Sequence, residues 1–273
     1  MYEKELLVAK ELVRTVGAYL RSTREQNDIV RQPHGEGFLD VTTQADLEAE
    51  RIVIETLMRT FPGDHILSEE TRTDYSADWE RVWIIDPLDG TTNYVKGFDT
   101  YAVSIAFLLR GRVMLAIVGL PAYGRVYHAV RGQGVYRNDI LISLVRPEDS
   151  LAQSLVSVGF PHNRQEEFAL PAFTLYKDLW LAASDLRRSA SAVYDGCILA
   201  EGITGAYVTP DIKPWDIAAT SLFVTEQGGS ISGLGGEPLD LFRRHEGRFS
   251  TAAVFSKNKK IHEAILDITR EYQ

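Results

Sequence analysis

A chain of 273 residues has room for one large domain or two small ones, and its 45% hydrophobic, 25% charged and 10% aromatic content suits a packed core. Disordered, collagen-like and coiled-coil readings are excluded. Lys and Arg number 29 against 38 Asp and Glu, a formal charge of −9 that disfavours nucleic acid and anionic lipid as partners. If the ligand is itself an anion, bound metal ions are the obvious source of local positive charge. A single cysteine, Cys197, excludes an intrachain disulfide and a Cys-rich zinc module, and reads as small core filler in a reducing compartment. Met1 to Glu5 carries acids where a secretory signal would be basic and then apolar, so a cytoplasmic protein is expected. The runs Ala102 to Leu109 and Val113 to Tyr123 fall short of the roughly 20 apolar residues that span a bilayer.

Leu6, Ala9, Val13, Val16 and Leu20 recur at helical spacing and predict an amphipathic helix over residues 3–24. Asn27 to Gly37 reads as a loop. Thr42 or Thr43 caps a second helix, with Ala49, Ile52, Val53, Thr56 and Leu57 on one face and Pro62-Gly63 as the stop. Strands follow at His65 to Ser68, Val82 to Ile85, Tyr101 to Leu109, Arg112 to Leu120, Val126 to Val130 and Val135 to Arg137. Gly132-Gln133-Gly134 is a hairpin corner. Beyond Asp149 the pattern becomes strand Leu155 to Val158, helix Glu166 to Trp180, helix Ser191 to Glu201, strand Ala206 to Val208, and helix Trp215 to Gln227. Strand Ala252 to Phe255 and helix Asn258 to Tyr272 close the chain. The result is two layered α+β halves, residues 1–145 and 146–273, packed as one unit.

Trp83-Ile-Ile-Asp86-Pro-Leu-Asp89-Gly90-Thr91-Thr-Asn-Tyr94 is an apolar strand running into two aspartates and a turn. Pro87 is expected to end strand pairing there. Unit charges about 4 Å apart repel by roughly 4 kcal/mol at an effective dielectric of 20, so two carboxylates forced together call for a cation. Gly90 lets backbone approach a ligand, and a helix opening at Thr91 turns free N–H groups toward an anion. Three further acids stand in suggestive places: Asp216 at a helix start after Lys213-Pro214-Trp215, Glu69 with Glu70 at the end of the His65 strand, and Asp46 in the first turn after Thr43. Each is also an ordinary place for an acid, at a helix N-terminus or in a solvated loop.

Together these segments resemble the inositol monophosphatase superfamily of magnesium-dependent, lithium-sensitive phosphomonoesterases. The resemblance rests on the Trp83 to Tyr94 run and on Trp215-Asp216-Ile-Ala-Ala-Thr-Ser-Leu-Phe-Val-Thr-Glu-Gln-Gly228-Gly229. It implies a five-layered αβαβα sandwich, often dimeric. It further implies that Glu69, Asp86, Asp89, Asp216 and the Leu88 carbonyl are metal ligands, with Glu70 behind them, and that Thr91, oriented by Asp46, positions or deprotonates the attacking water. Gly90 and Thr91 backbone N–H groups would hold phosphate. Ala190, Ser191 and Ala192 would line the substrate pocket beside Asp216, with Asp211 a possible substrate contact.

All-oxygen ligands point to Mg²⁺ over Zn²⁺. Four carboxylates carry about −4 and a phosphate about −2, so two Mg²⁺ leave the cluster near −2 and three near zero, which favours two to three ions with substrate bound. With no Ser or Cys nucleophile apparent there, direct attack by metal-activated water is expected. Asp86-x-x-Asp89 breaks the Asp-x-Asp spacing of haloacid dehalogenase phosphatases, and no P-loop, dinucleotide turn or Gly-x-Ser-x-Gly is present. His34, His65 and His162 lack metal-ligand spacing. A non-catalytic binding protein would be expected to have lost a ligand, and none is lost. Substrate choice stays open. Inositol-selective members carry Glu seven residues before the Trp-Asp aspartate, where this chain has Thr209, with Asp211 as a stand-in, and Ala190 stands where many members have glycine. Inositol phosphates are the first expectation. Fructose 1,6-bisphosphate, 3′(2′),5′-bisphosphate nucleotides and NADP are the alternatives, with Lys213 and Arg164 available to a second phosphate.

Overall fold

The computed structural model describes residues 2–26, 29–30, 42–71, 75–144, 149–161, 165–245 and 247–272. Seven helices are described: α1 (Glu3–Thr23), α2 (Gln44–Thr60), α3 (Thr91–Lys96), α4 (Glu166–Ala182), α5 (Ala192–Ala200), α6 (Pro214–Glu226) and α7 (Lys259–Thr269). The loop expected over Asn27 to Gly37 lies outside the described residues except for β1 (Ile29–Val30), which pairs antiparallel with β2 (Thr42–Thr43).

A seven-stranded sheet runs in sequence order through β3 (His65–Ser68), β4 (Arg81–Asp89), β5 (Ala102–Leu109), β6 (Arg112–Leu120), β7 (Arg125–Val130), β8 (Val135–Arg137) and β9 (Ile140–Leu141). A five-stranded sheet has the order β11 (Asp185–Arg187), β10 (Leu155–Val158), β12 (Ala206–Ile212), β16 (Thr251–Ser256) and β13 (Ser230–Ser232). The short strands β14 (Arg244–His245) and β15 (Arg248–Phe249) pair only with each other. The expected strands and helices are present within a few residues. The short strands β1, β2, β9, β11 and β13 to β15 escaped the sequence pattern because two or three residues carry too little alternation to register.

Alternation along the central strands explains the layering. In β4, Trp83 and Ile85 face a core shared with α1 and α2, while Val82 and Ile84 face a second core shared with α5 and α6. In β12 and β16, Tyr207 and Phe255 face α5 and α6, whereas Val208 and Val254 meet α4 and α7 on the far side. Helix, sheet, helix, sheet and helix layers follow from these two-faced strands, which is the five-layered αβαβα sandwich. Each large aliphatic side chain buried in this way contributes about 1.5–3 kcal/mol, set against the ordering entropy of the chain.

One expectation is corrected in β4. Pro87 does not end strand pairing: a register shift between Asp86 and Asp89 absorbs it, and pairing with β5 resumes at Asp89 opposite Ala102. A bulge accommodates a residue without an N–H and re-aims the side chains around it. Both aspartates therefore stay on a strand buried among apolar neighbours.

Candidate active site

The acids converge because strand ends and helix starts meet at one edge of the seven-stranded sheet. Asp86 and Asp89 close β4 with 1% and 9% of their surface exposed. Asp86 Oδ1 accepts the Leu88 N–H at 3.1 Å, and Asp89 Oδ2 accepts the Val193 N–H at 2.9 Å together with the Ser191 hydroxyl. From α6, the carboxylate of Asp216 accepts the Lys213 N–H at 2.9 Å, as a helix-capping acid does. Oxygens of Asp86, Asp89 and Asp216 lie within 4.8 Å of one another, and this trio is the group of possible metal ligands found among the described residues.

Glu69 joins them from the neighbouring strand. Strand β3 lies parallel to β4 with Ser68 opposite Ile85, and the Glu69 N–H donates to the Ile85 carbonyl at 3.3 Å. Its carboxyl shares a hydrogen bond with Asp86, which two carboxyl groups make only when one holds a proton. Burial first, then repulsion from neighbouring acids, pushes Glu69 and Asp86 well above the ordinary carboxylate range. Asp89 is pushed up to about 7 by burial and by Asp216. A divalent cation would relieve both causes, and the all-carboxylate donor set matches a hard ion such as Mg²⁺. The residues therefore fit the metal that the sequence led us to expect.

Beside the cluster, the Thr91 hydroxyl lies 2.9 Å from Asp46 Oδ1 and 3.0 Å from the Leu88 carbonyl, and with one proton it can donate to one of them at a time. Asp46 is held by the start of α2, where Thr43 caps the helix and its N–H donates to Asp46 Oδ2 at 2.7 Å. Burial raises the Asp46 carboxyl to about 6. Gly90 sits at φ 85°, and a Cβ there would come within 2.9 Å of the Thr100 carbonyl and 3.2 Å of Ser191 Cβ. The turn thus requires glycine on both conformational and spatial grounds. Glu70 stands behind Glu69, its carboxylate accepting from Thr42 Oγ1 at 3.1 Å.

The segment before α5 forms the adjoining wall. Ala190 and Ala192 are half-buried, whereas Ser191 is buried and turns its hydroxyl to Asp89. Ala190 occupies φ 60°, a conformation costing a residue with a Cβ about 1–2 kcal/mol, which explains in physical terms why a glycine would be at home there. Asp211 lies outside the carboxylate trio: it takes Lys213 Nζ at 3.0 Å and Ser250 Oγ at 2.8 Å. Lys213 is accordingly engaged by its own neighbour. Thr209 is fully buried and donates to the Asp211 carbonyl at 3.0 Å. His65 stacks on Trp79 at 4.3 Å, while His34, His162 and Arg164 lie outside the described residues.

Residues that the sequence reading passed over support this arrangement. Asn93 Nδ2 donates to the carbonyls of Thr100 and Ser189 at 2.6 and 2.8 Å, tying the helix after the turn to the wall before α5. Glu50 accepts the N–H groups of Glu70 and Thr71, each at 3.1 Å. Asn93 stood in the Trp83 to Tyr94 run, yet a local pattern does not name distant partners, and Glu50 carries no local signal beyond its place in a helix.

A model of the inositol monophosphatase family matches residues 1–273. A protein of Pasteurella multocida named Nus factor SuhB is 36% identical over 197 residues, 72% of this chain and 73% of that protein. One of Aquifex aeolicus named fructose-1,6-bisphosphatase/inositol-1-monophosphatase is 30% identical over 236 residues, 86% of this chain and 84% of its own. The solved IMPase of Thermotoga maritima superposes with a TM-score of 0.84 at 28% identity, covering 98% of each chain.

Proposed function

The chain belongs to the inositol monophosphatase family, and from that premise we propose that it is a Mg²⁺-dependent phosphomonoesterase acting on a small phosphorylated metabolite, inositol phosphate first. The observation that carries this reading is the placement of three carboxylates, buried Asp86 and Asp89 and half-buried Asp216, within 4.8 Å of one another, beside a glycine turn and a Thr–Asp pair. Glu69, Asp86, Asp89, Asp216 and the Leu88 carbonyl would hold two to three Mg²⁺. Bound there, the ions neutralise phosphate charge and acidify water.

The chain's own groups supply the rest. Thr91 directs its proton to Asp46 Oδ1, which leaves oxygen lone pairs able to take a proton from an attacking water. Asp46 then receives the Thr91 proton, a role suited to a carboxyl pushed up to about 6. Gly90 keeps the turn bare so that a phosphate can approach its N–H groups, and half-buried Ala190 and Ala192 bound the space beside it. The hydroxyls of Thr91 and Ser191 are committed to Asp46 and Asp89, which supports direct attack by water.

A sugar bisphosphate is the second reading. It is favoured by Thr209, which is buried and puts no carboxylate where inositol-selective members carry one. Phosphate release from a panel of phosphoesters at fixed Mg²⁺ tests both: turnover of inositol phosphates supports the first, and turnover of a sugar bisphosphate alone moves the assignment. Absence of release from every ester, with and without Mg²⁺, refutes the enzyme reading in favour of a binding protein.

Lithium sensitivity, a cytoplasmic location and a homodimer belong to the same proposal. Leu170, Phe173, Trp180 and Leu181 recur along α4 and are 55%, 56%, 57% and 70% exposed, an apolar stripe suited to a second copy of the chain. Among the described residues no helix is long and apolar enough to cross a membrane.

A further inference from the structure

Asp195 lies in the first turn of α5, is not one of the carboxylate trio although its charge bears on Asp89, and is 2% exposed. An ordinary helix-start acid faces water and gains a little from the helix dipole. Asp195 instead directs its bonds inward. Oδ1 accepts the Ser157 hydroxyl of β10 at 2.9 Å, and Oδ2 accepts the Ser189 hydroxyl at 2.7 Å. The Ser189 backbone N–H donates to it as well.

The Ser189 hydroxyl has two acceptors in reach, Asp195 Oδ2 at 2.7 Å and the Ser191 carbonyl at 2.8 Å, and with one proton it favours the buried carboxylate, the stronger acceptor. With that proton directed to Asp195, the Ser189 oxygen is left to accept the Ser191 N–H at 3.0 Å. Ser191 in turn donates its hydroxyl to Asp89. A continuous relay of hydrogen bonds therefore runs from β10 through Asp195, Ser189 and Ser191 to Asp89. The segment it grips includes Ala190 at φ 60°, a conformation that persists only where the surroundings over-determine it. The same segment touches the phosphate-side turn, since Ser191 Cβ lies 3.2 Å from where a Cβ on Gly90 would be.

We infer that Asp195 is a positioning residue: through Ser189 and Ser191 it fixes the orientation of the Asp89 carboxylate, and thereby how tightly the cluster holds a divalent cation. The inference rests on the reading of Asp89 as a metal ligand. Groups that orient ligands typically govern metal affinity by 10–100-fold when lost. Asp195→Asn is the sharpest perturbation, because its amide presents one acceptor and one donor where two hydroxyls now donate. Ser189 must then turn its proton elsewhere.

The test is Mn²⁺ binding to the full-length, metal-free chain, read from the paramagnetic signal of the free ion, with near-ultraviolet circular dichroism to confirm folding. Asp195→Asn and Ser189→Ala are each expected to weaken binding about tenfold. In a Ser191→Ala background, which already lacks the last link, adding Asp195→Asn is expected to change affinity less than about twofold. Unaltered Mn²⁺ affinity in Asp195→Asn, or effects of Asp195→Asn and Ser191→Ala that multiply independently, would overturn the inference. If Asp195→Asn does not fold, Ser189→Ala with Ser191→Ala completes the same cycle under the same criterion. A wild-type chain that binds no Mn²⁺ and hydrolyses no phosphoester refutes the metal-ligand reading itself; tight wild-type binding matched by the variants refutes only the role given to Asp195.

Discussion

Replacing Asp89 with Asn should stabilise the metal-free protein while destroying its activity, and the size of the gain follows from the buried charge. The Asp89 carboxyl is carried from its ordinary 3.8 up to about 7, chiefly by burial and by Asp216. Between those values the folded chain retains a proton that the unfolded chain has released, so stability falls as pH rises through that window. The full deficit, reached above pH 7, is about 4 kcal/mol. Asparagine removes the charge yet keeps an oxygen to accept from Ser191 and Val193. At 2–4 °C per kcal/mol for a domain approaching this size, metal-free Asp89→Asn should melt roughly 10 °C above the wild type at pH 8. The gap should close toward pH 4. Asp46, raised to about 6, is common to the two proteins, whereas the repulsion between Asp89 and its neighbours Asp86 and Asp195 is lifted in the variant and acts in the same direction. Scanning fluorimetry of metal-free samples from pH 4 to 8 measures it. Saturating Mg²⁺ should raise the wild-type melting temperature and leave the variant nearly unmoved, since stabilisation by a ligand scales with its binding to the native state. Coincident melting curves for the two metal-free proteins across the whole pH range would refute the electrostatic account of the cluster.

The same variant should lose several orders of magnitude in kcat in a phosphate-release assay, and near-normal turnover would remove Asp89 from the metal seat. Asp46→Asn leaves the carboxylate trio intact, so Mn²⁺ affinity should hold while kcat falls about a hundredfold or more; weakened binding with unchanged kcat would contradict the proton route through Thr91. Gly90→Ala adds a Cβ 2.9 Å from the Thr100 carbonyl at φ 85°, for a loss of about 2–4 kcal/mol in chemical denaturation. An unshifted midpoint would show that the turn yields. Trp180→Glu places a charge on the exposed stripe of α4 and should convert a dimer to monomer in sedimentation velocity, whereas an unchanged oligomer would move the interface elsewhere.

What the sequence made legible was decided by local signals strong enough to survive tertiary context. Thr43 followed three residues later by Asp46 is a capping pattern, so the position of Asp46 at the start of α2 was readable from spacing. The approach of Glu69 to Asp86 was only half readable: the apolar His65 strand could lie beside the Asp86 strand, but which of Glu69 and Glu70 reached it was named by the family resemblance alone. The relay behind Asp89 was not readable. Ser157, Ser189, Ser191 and Asp195 are four common polar residues scattered over three elements, and only the crossing of β10 with the start of α5 makes them neighbours. Pro87 misled for a related reason. A proline read locally ends pairing, whereas in β4 the fold retains it by shifting register, and the shift leaves both aspartates buried on the strand.

The architecture also explains how a chain tolerates acids that repel one another. Each acid in the cluster has a backbone anchor: Asp86 accepts the Leu88 N–H, Asp89 the Val193 N–H beside the Ser191 hydroxyl, Asp216 the Lys213 N–H, and the main chain of Glu69 is tied to Ile85. Those anchors belong to strands and helices whose opposite faces are already committed to apolar cores, so the carboxylates cannot separate without unpacking Ile84, Ala218 or Phe223. Packing thus adds repulsion between held acids to the cost of burial, the larger cause, and together they raise the carboxyl pKa values and favour a positive charge among them. On this argument the cluster would be preorganised for a divalent ion, and the carboxylates would release protons on binding it.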